Sequence, residues 1–71
     1  MEDKIEEQIL NLINSAKEPL ETKEIQQKCR NISRAKILYR LNNLRGKGLI
    51  RGKSIGAGKG TWVWWSIKSF S

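Results

Sequence analysis

The segment that decides the fold is SRAKILYRLNNL at residues 33–44, which continues through RGK to GLI at residues 48–50. Ser33 is a residue type that caps helix N-termini, and the apolar residues after it recur at helical spacing. These residues are Ile37, Leu38, Leu41 and Leu44. The glycines at 46 and 48 favour the end of a helix. The pattern predicts a helix from Ser33 to about Arg45.

A shorter helix is predicted just upstream. Thr22 is interpreted as its N-cap, and Ile25 and Cys29 fall on its inner face. Cys29 is predicted to be a small core residue. Residues 30–32 form a tight connector to the next helix. Two helices of this size joined by a turn of about three or four residues make a helix-turn-helix unit.

The N-terminal segment predicts a first helix over residues 3–17. Its apolar residues fall on one stripe and are Ile5, Ile9, Leu12, Ile13 and Ala16. Asp3 and Glu6 match an N-cap and its reciprocal partner. Pro19 ends the helix, because a residue before proline disfavours the helical conformation. A short extended piece is expected at Leu20 and Glu21.

A β-hairpin is predicted after the central helix. Residues 49–55 and 61–67 are interpreted as strands, the second because it is rich in β-branched and aromatic residues. The loop between them, GAGKG at residues 56–60, is flexible because of its glycines. The order of elements therefore predicts an α+β fold of three helices and a C-terminal hairpin, in one domain over residues 1–71.

The charges of the chain are divided along its length. All seven acidic residues lie in the first 24 residues, whereas Ile25 to Ser71 hold eleven Lys and Arg residues and no acid, for a net charge of +7 overall. A surface that serves only solubility mixes both signs. A segment without acids suits a polyanion, because each Lys or Arg at a phosphate releases counterions. The alternatives are a basic protein without a partner, or one that binds an acidic protein.

Composition argues against several other classes. No apolar run is long enough to span a membrane, and the charged start of the chain is unlike a secretion signal. One cysteine and no histidine leave neither an internal disulfide nor a cysteine-based zinc site, so no metal or cofactor is expected. These features fit a reducing, cytoplasmic compartment.

The segment GAGKGT at residues 56–61 looks like part of a phosphate-binding loop of nucleotide kinases. That loop needs its complete motif between a strand and a helix. Here Gly60 follows Lys59, the next segment is β-rich, and no carboxylate after Glu24 is present to hold magnesium. We therefore expect neither an enzyme nor a small-molecule substrate, and general acid–base catalysis is unsupported as well.

The order of elements and the quoted residues resemble the winged helix-turn-helix family over residues 5–67. The most specific part is the capped third helix with its polar exposed side and its two leucines three apart, followed by the step GLI into a strand. The resemblance implies that the hairpin is a wing. It also implies that the helix over residues 33–45 lies in the major groove of DNA, while the wing over residues 49–67 contacts the backbone or the minor groove.

A narrower resemblance points to winged-helix domains that bind left-handed Z-form nucleic acid. In that family a tyrosine of the third helix packs with a tryptophan of the second wing strand, and Tyr39 and Trp65 match these positions. The asparagine of that family falls at Ala35, and its paired prolines fall at Trp62 and Val63. Because two positions match and the others depart from that family, Z-form binding is kept as an alternative and is not the leading hypothesis.

The predicted third helix carries candidate DNA contacts on the side opposite its apolar stripe. Lys36 and Arg40 are four residues apart and suit guanines or phosphates, while Asn43 suits adenine. Free N–H groups at the helix start suit a phosphate, and a tyrosine hydroxyl can bond another. The full candidate set is Ser33, Arg34, Lys36, Tyr39, Arg40 and Asn43. The alternative is an ordinary solvated helix face.

The predicted wing adds three basic candidates. Arg51 and Lys53 alternate along a strand and therefore share one face. Lys59 lies at the glycine-rich tip, where it would enter the adjacent minor groove or lie along phosphates. The alternative is a hairpin tip that only keeps the protein soluble.

Three tryptophans crowd the second wing strand, at positions 62, 64 and 65. If Ile67 faces the core, strand alternation turns Val63 and Trp65 inward and Trp62 and Trp64 outward. Exposed Trp62 and Trp64 would mark an interface, either between two copies of the chain or with single-stranded bases. We predict a homodimer through these two residues.

The leading hypothesis is a sequence-specific transcription regulator that binds double-stranded DNA. We expect it to act as a dimer on a palindromic site. One alternative is an architectural or replication-linked module that binds nucleic acid without much sequence preference. The other is a winged-helix interaction module whose tryptophans bind a protein.

Overall fold

The described part of the chain contains three helices and three strands, in the order that the sequence predicts. The computed structural model describes residues 4–56 and 61–68. Its elements are α1 (Lys4–Ser15), β1 (Leu20–Glu21), α2 (Thr22–Lys28), α3 (Arg34–Gly46), β2 (Ile50–Ile55) and β3 (Thr61–Ser66). The described residues form a small α+β fold with a three-stranded antiparallel sheet, a layout compatible with a winged helix.

Helix α1 follows the predicted apolar stripe. Ile9 and Ile13 are fully buried, and Ile5, Leu12 and Ala16 pack partly buried against the same core. The helix ends at Ser15, earlier than the predicted residue 17. The predicted cap, Asp3, lies outside the described residues.

The start of α2 differs from the prediction. Glu21 is the N-cap, in a reciprocal pairing in which the backbone N–H of Glu21 donates to Glu24 Oε1 at 2.8 Å. Thr22 is the first helical residue instead of the cap, so that prediction was wrong. Its hydroxyl oxygen accepts the indole N–H of Trp64 at 2.8 Å, a long-range contact that the local sequence does not reveal.

Helix α3 begins and packs as predicted. Ser33 is its N-cap, and the Ser33 hydroxyl accepts the backbone N–H of Lys36 at 3.3 Å. Ile37, Leu41 and Leu44 are buried. The chain leaves the helix through Gly48, whose φ of +76° is in the left-handed region that favours glycine.

The sheet contains the predicted hairpin of β2 and β3, together with the short strand β1. Strands β2 and β3 pair in register, and β1 pairs with the other edge of β3, which gives the order β1-β3-β2. Trp64 is the centre of this arrangement, because it lies opposite Leu20 on one side and Gly52 on the other. The loop tip at residues 57–60, with Lys59, lies outside the described residues.

The predicted orientation of β3 was wrong. Trp64 is 2% exposed and Ser66 is buried, whereas Ile67 is 38% exposed. Alternation along the strand then turns Trp62 toward the core, where it packs partly buried, and Val63 and Trp65 to the opposite face. Burial of the large Trp64 ring, with its N–H bonded to Thr22, outweighs burial of Ile67.

No helix among the described residues is long and apolar enough to cross a membrane.

Candidate nucleic-acid interface

The acid-free part of the chain contains helix α3 and both strands of the hairpin. Every residue of α3, β2 and β3 comes after Glu24, the last acidic residue. The acidic residues that the structure describes lie on α1, the following turn, β1 and α2. Helix α3 and the β2–β3 hairpin therefore present cations without neighbouring carboxylates on their own elements, which suits a polyanion.

The first turn of α3 carries two exposed cations. Arg34 and Lys36 are both exposed, and the first turn contains no acidic residue. Ser33 satisfies the N–H of Lys36, while the positive end of the helix dipole adds to the charge of the two side chains. This end of α3 is therefore the most positive part of the predicted DNA-contacting helix.

Tyr39 and Arg40 form one unit further along α3. Tyr39 is 60% exposed, and the guanidinium carbon of Arg40 lies 5.1 Å from the centre of its ring, within cation–π range. Arg40 is half-buried and lies closer to the buried stripe than Lys36 does. The structure thus pairs Arg40 with Tyr39, instead of extending it beside Lys36 as the spacing alone predicted.

The two asparagines of α3 differ in their surroundings. Asn42 is exposed, but its side-chain amide donates to the carbonyl of Leu38 at 2.9 Å. Asn43, the predicted adenine-binding residue, is half-buried late on the helix. The polar side chains at the start of α3 are therefore more accessible to a groove of DNA than those of these two asparagines.

Two other cations of this region serve the fold. Lys47 forms an ion pair with Glu6, which ties the end of α3 to α1. The guanidinium carbon of Arg45 lies 5.0 Å from the centre of the Trp62 ring, and Trp62 stacks on Trp64 with ring centres 5.4 Å apart. The role of Arg45 is not visible in the sequence, because its aromatic partner Trp62 is distant in the chain.

The hairpin presents Arg51 and Lys53, the two predicted basic residues that the structure describes, on the face turned away from the core. Arg51 and Lys53 are exposed and alternate with the buried Ile50 and the Trp-contacting Gly52. Arg51 lies opposite Trp65 and Lys53 opposite Val63 in the β2–β3 register. We call this surface the outer sheet face. Its described residues are Glu21, which lies on β1 opposite Val63, together with Arg51, Lys53, Ile55, Thr61, Val63, Trp65 and Ile67.

The predicted dimer surface is not available as proposed. Trp64 is in the core, and Trp62 is partly buried between Trp64 and Arg45. The pair therefore does not form an exposed tryptophan patch, and the homodimer stays a prediction without that surface.

Cys29 is a core residue, as predicted. It is 1% exposed and receives a long hydrogen bond from the side-chain amide of Gln8, with 3.6 Å between nitrogen and sulfur. Burial raises the pKa of the Cys29 thiol, and the Gln8 contact only partly opposes this rise. A buried, neutral thiol is chemically quiet.

No family model matches the chain, and none of the curated proteins matches its sequence.

Proposed function

We propose that this protein is a winged helix-turn-helix domain that binds double-stranded DNA and regulates transcription by recognising sequence. The observation that carries the proposal is that α3 and the β2–β3 hairpin contain exposed cations and no acidic residue. A helix whose exposed N-terminal turn carries Arg34 and Lys36 suits the major groove, where its first residues meet base edges. The family resemblance supports the same assignment.

In this proposal the two elements have different tasks. Lys36 reaches a guanine edge or a phosphate, and Arg34 and the helix start hold the neighbouring backbone. Tyr39 lies beside them and offers its hydroxyl to a phosphate, with Arg40 supporting the ring. Arg51 and Lys53 hold the backbone on the wing side, so that contacts from two elements set the orientation of the protein on the duplex.

The test is a pair of lysine variants measured against the same duplex. Lys36→Ala removes an exposed cation from the proposed interface, and Lys17→Ala removes an exposed lysine from the acidic N-terminal part. Each cation lost from a phosphate lowers affinity, whereas a distant lysine on a surface of mixed charge does not. We expect Lys36→Ala to weaken binding several-fold and Lys17→Ala to leave it unchanged. Equal affinities of the two variants would contradict the proposal.

An unbiased selection of bound DNA sequences separates the regulator from a non-specific module. A recovered motif whose preference Lys36→Ala weakens more than binding to random DNA supports sequence reading. Equal losses on both kinds of DNA assign the protein to the architectural class instead.

A further inference from the structure

The outer sheet face carries an apolar, aromatic row that the proposed duplex contacts do not use. Its β2 row carries the cations Arg51 and Lys53, and its β3 row carries Val63 and Trp65 directly opposite them. Trp65 is the one tryptophan of the three that turns away from the core. The face thus places a basic row beside an apolar, aromatic row.

A groove at the β2 edge of the sheet joins these rows to the end of α3. It has a volume of about 470 Å³, and the described residues that line it include Arg45, Arg51, Lys53, Trp65 and Ile67 and no acidic residue. This volume is within the range of pockets for small ligands. Because Arg45 lies over the Trp62 ring, the cations open to an occupant are Arg51 and Lys53. Two cations and an indole, with no carboxylate among the described lining residues, suit an occupant that combines an aromatic ring with negative charge.

We infer that the outer sheet face binds unpaired nucleotides of a nucleic-acid strand, with a base stacked on Trp65 and the strand's phosphates held by Arg51 and Lys53. Each base has an aromatic face and each linkage carries one negative charge, so a strand matches both rows at once. Arg51 and Lys53 are two residues apart on an extended strand, roughly 6.6 Å along β2, so they hold successive groups of a chain. An acidic peptide would match the cations but not the indole.

The inference rests on the proposed function for duplex binding, and it adds a binding site for a single strand. On paired DNA the wing cations hold the backbone. Where the strands separate, one strand follows the same cations onto the outer sheet face and gains Trp65. The protein is therefore suited to a junction between duplex and single strand.

The experiment measures fluorescence anisotropy with three labelled probes: a blunt duplex, the same duplex with a thymidine tail, and the thymidine strand alone. A tail of about eight nucleotides is within the range of single-strand sites. We expect the tail to raise affinity by roughly 5- to 150-fold, the range for stacking of one base.

The variants assign that gain to its residue. Trp65→Leu is expected to abolish the gain and the binding of the single strand, while blunt-duplex affinity is unchanged. Trp65→Phe keeps an aromatic ring and is expected to restore part of the gain, which excludes loss of fold as the cause. Lys36→Ala is expected to weaken the blunt and tailed duplexes equally and so to keep their ratio.

Three results would overturn the inference. The first is a thymidine strand that does not bind, or one that binds Trp65→Leu as tightly as the unaltered protein. The second is displacement of the strand by a glutamate-rich peptide of equal charge, which would show that the face selects charge alone. The third is equal affinity for thymidine monophosphate, which would make the groove a free-nucleotide site. Failure of blunt-duplex binding with retained strand binding would count against the proposed function only.

Discussion

Gly52 is the position where one added carbon most directly tests the packing described above. A Cβ at this position would lie 2.6 Å from Trp64 Cε3 and 2.7 Å from Trp64 Cζ3, and 3.2 Å from Trp62 Cε3. The two Trp64 distances are far below van der Waals contact, which begins near about 3.5 Å for carbon atoms. Gly52→Ala therefore forces the Trp64 ring to move by nearly an ångström.

The cost of that movement follows from how Trp64 is held. The ring is 2% exposed, and its N–H is bonded to Thr22. Overpacking a filled core costs about 1–3 kcal/mol, and a strained or lost hydrogen bond adds about 1 kcal/mol. Alanine also lowers the conformational entropy of the unfolded chain, which offsets about 0.4–1 kcal/mol of this loss. We expect Gly52→Ala to lower the free energy of unfolding by about 1–3.5 kcal/mol.

The measurement is urea unfolding followed by circular dichroism, with Gly46→Ala as the matched control. Gly46 is the last residue of α3, and nothing lies within 4 Å of a Cβ placed there. Alanine favours helix over glycine, so this control is expected to be neutral or stabilising by up to about 1 kcal/mol. Gly52→Ala with the stability of the unaltered protein would refute the proposed packing of Trp64.

Two further predictions concern buried groups. Thr22→Val keeps the side-chain shape but leaves the buried Trp64 N–H without its acceptor, so we expect urea unfolding to show a free energy of unfolding that is lower by about 1–3 kcal/mol. Thr22→Ser keeps the hydroxyl and should restore most of that free energy. A Thr22→Val protein as stable as the unaltered one would contradict the role given to this hydrogen bond. The pKa of Cys29 is raised above its ordinary value of 9.0 by burial, so the unfolded thiol ionises first and its effect on stability appears only as the pH rises past that value. Above about pH 9, the free energy of unfolding should fall more steeply with rising pH for the unaltered protein than for Cys29→Ser, and parallel curves would contradict the burial of the thiol.

Local rules predicted most of the helices. The apolar stripes of α1 and α3 and the cap at Ser33 depend on residues a few positions apart, which the sequence displays directly. The cap of α2 was misassigned for a reason that is not local. Thr22 is a good capping residue by type, but its hydroxyl is taken by Trp64, which lies on a different element.

The faces of β3 show where sequence reasoning stops. Strand alternation is certain, but its phase depends on one choice of core residue, and choosing Ile67 inverted every assignment on the strand. The pairing of Gly52 with Trp64 would have indicated the correct phase, because a residue without a side chain makes room for the indole ring. That pairing becomes visible only with the register of the hairpin. The outer sheet face around Trp65 was missed for the same reason.

The predicted site residues on α3 fared unevenly because exposure is graded around a helix. Lys36 and Tyr39 are exposed as predicted. Arg40 lies nearer to the buried stripe, and its guanidinium lies over the Tyr39 ring. Spacing of four residues places two side chains on one side of a helix, but it does not show which of them reaches solvent.

The salt dependence of binding to a blunt duplex tests the central claim most directly. Arg34, Lys36, Arg51 and Lys53 are exposed on the proposed interface, and contacts of these four cations with phosphates predict a slope of about −3.6 for log affinity against log salt, a fall of roughly 150-fold between about 50 and 200 mM. In Lys36→Ala the slope should weaken by about 0.9, and in Lys17→Ala it should stay the same. A flat response of the unaltered protein to salt, or a slope that Lys36→Ala leaves unchanged, would contradict DNA binding through this surface.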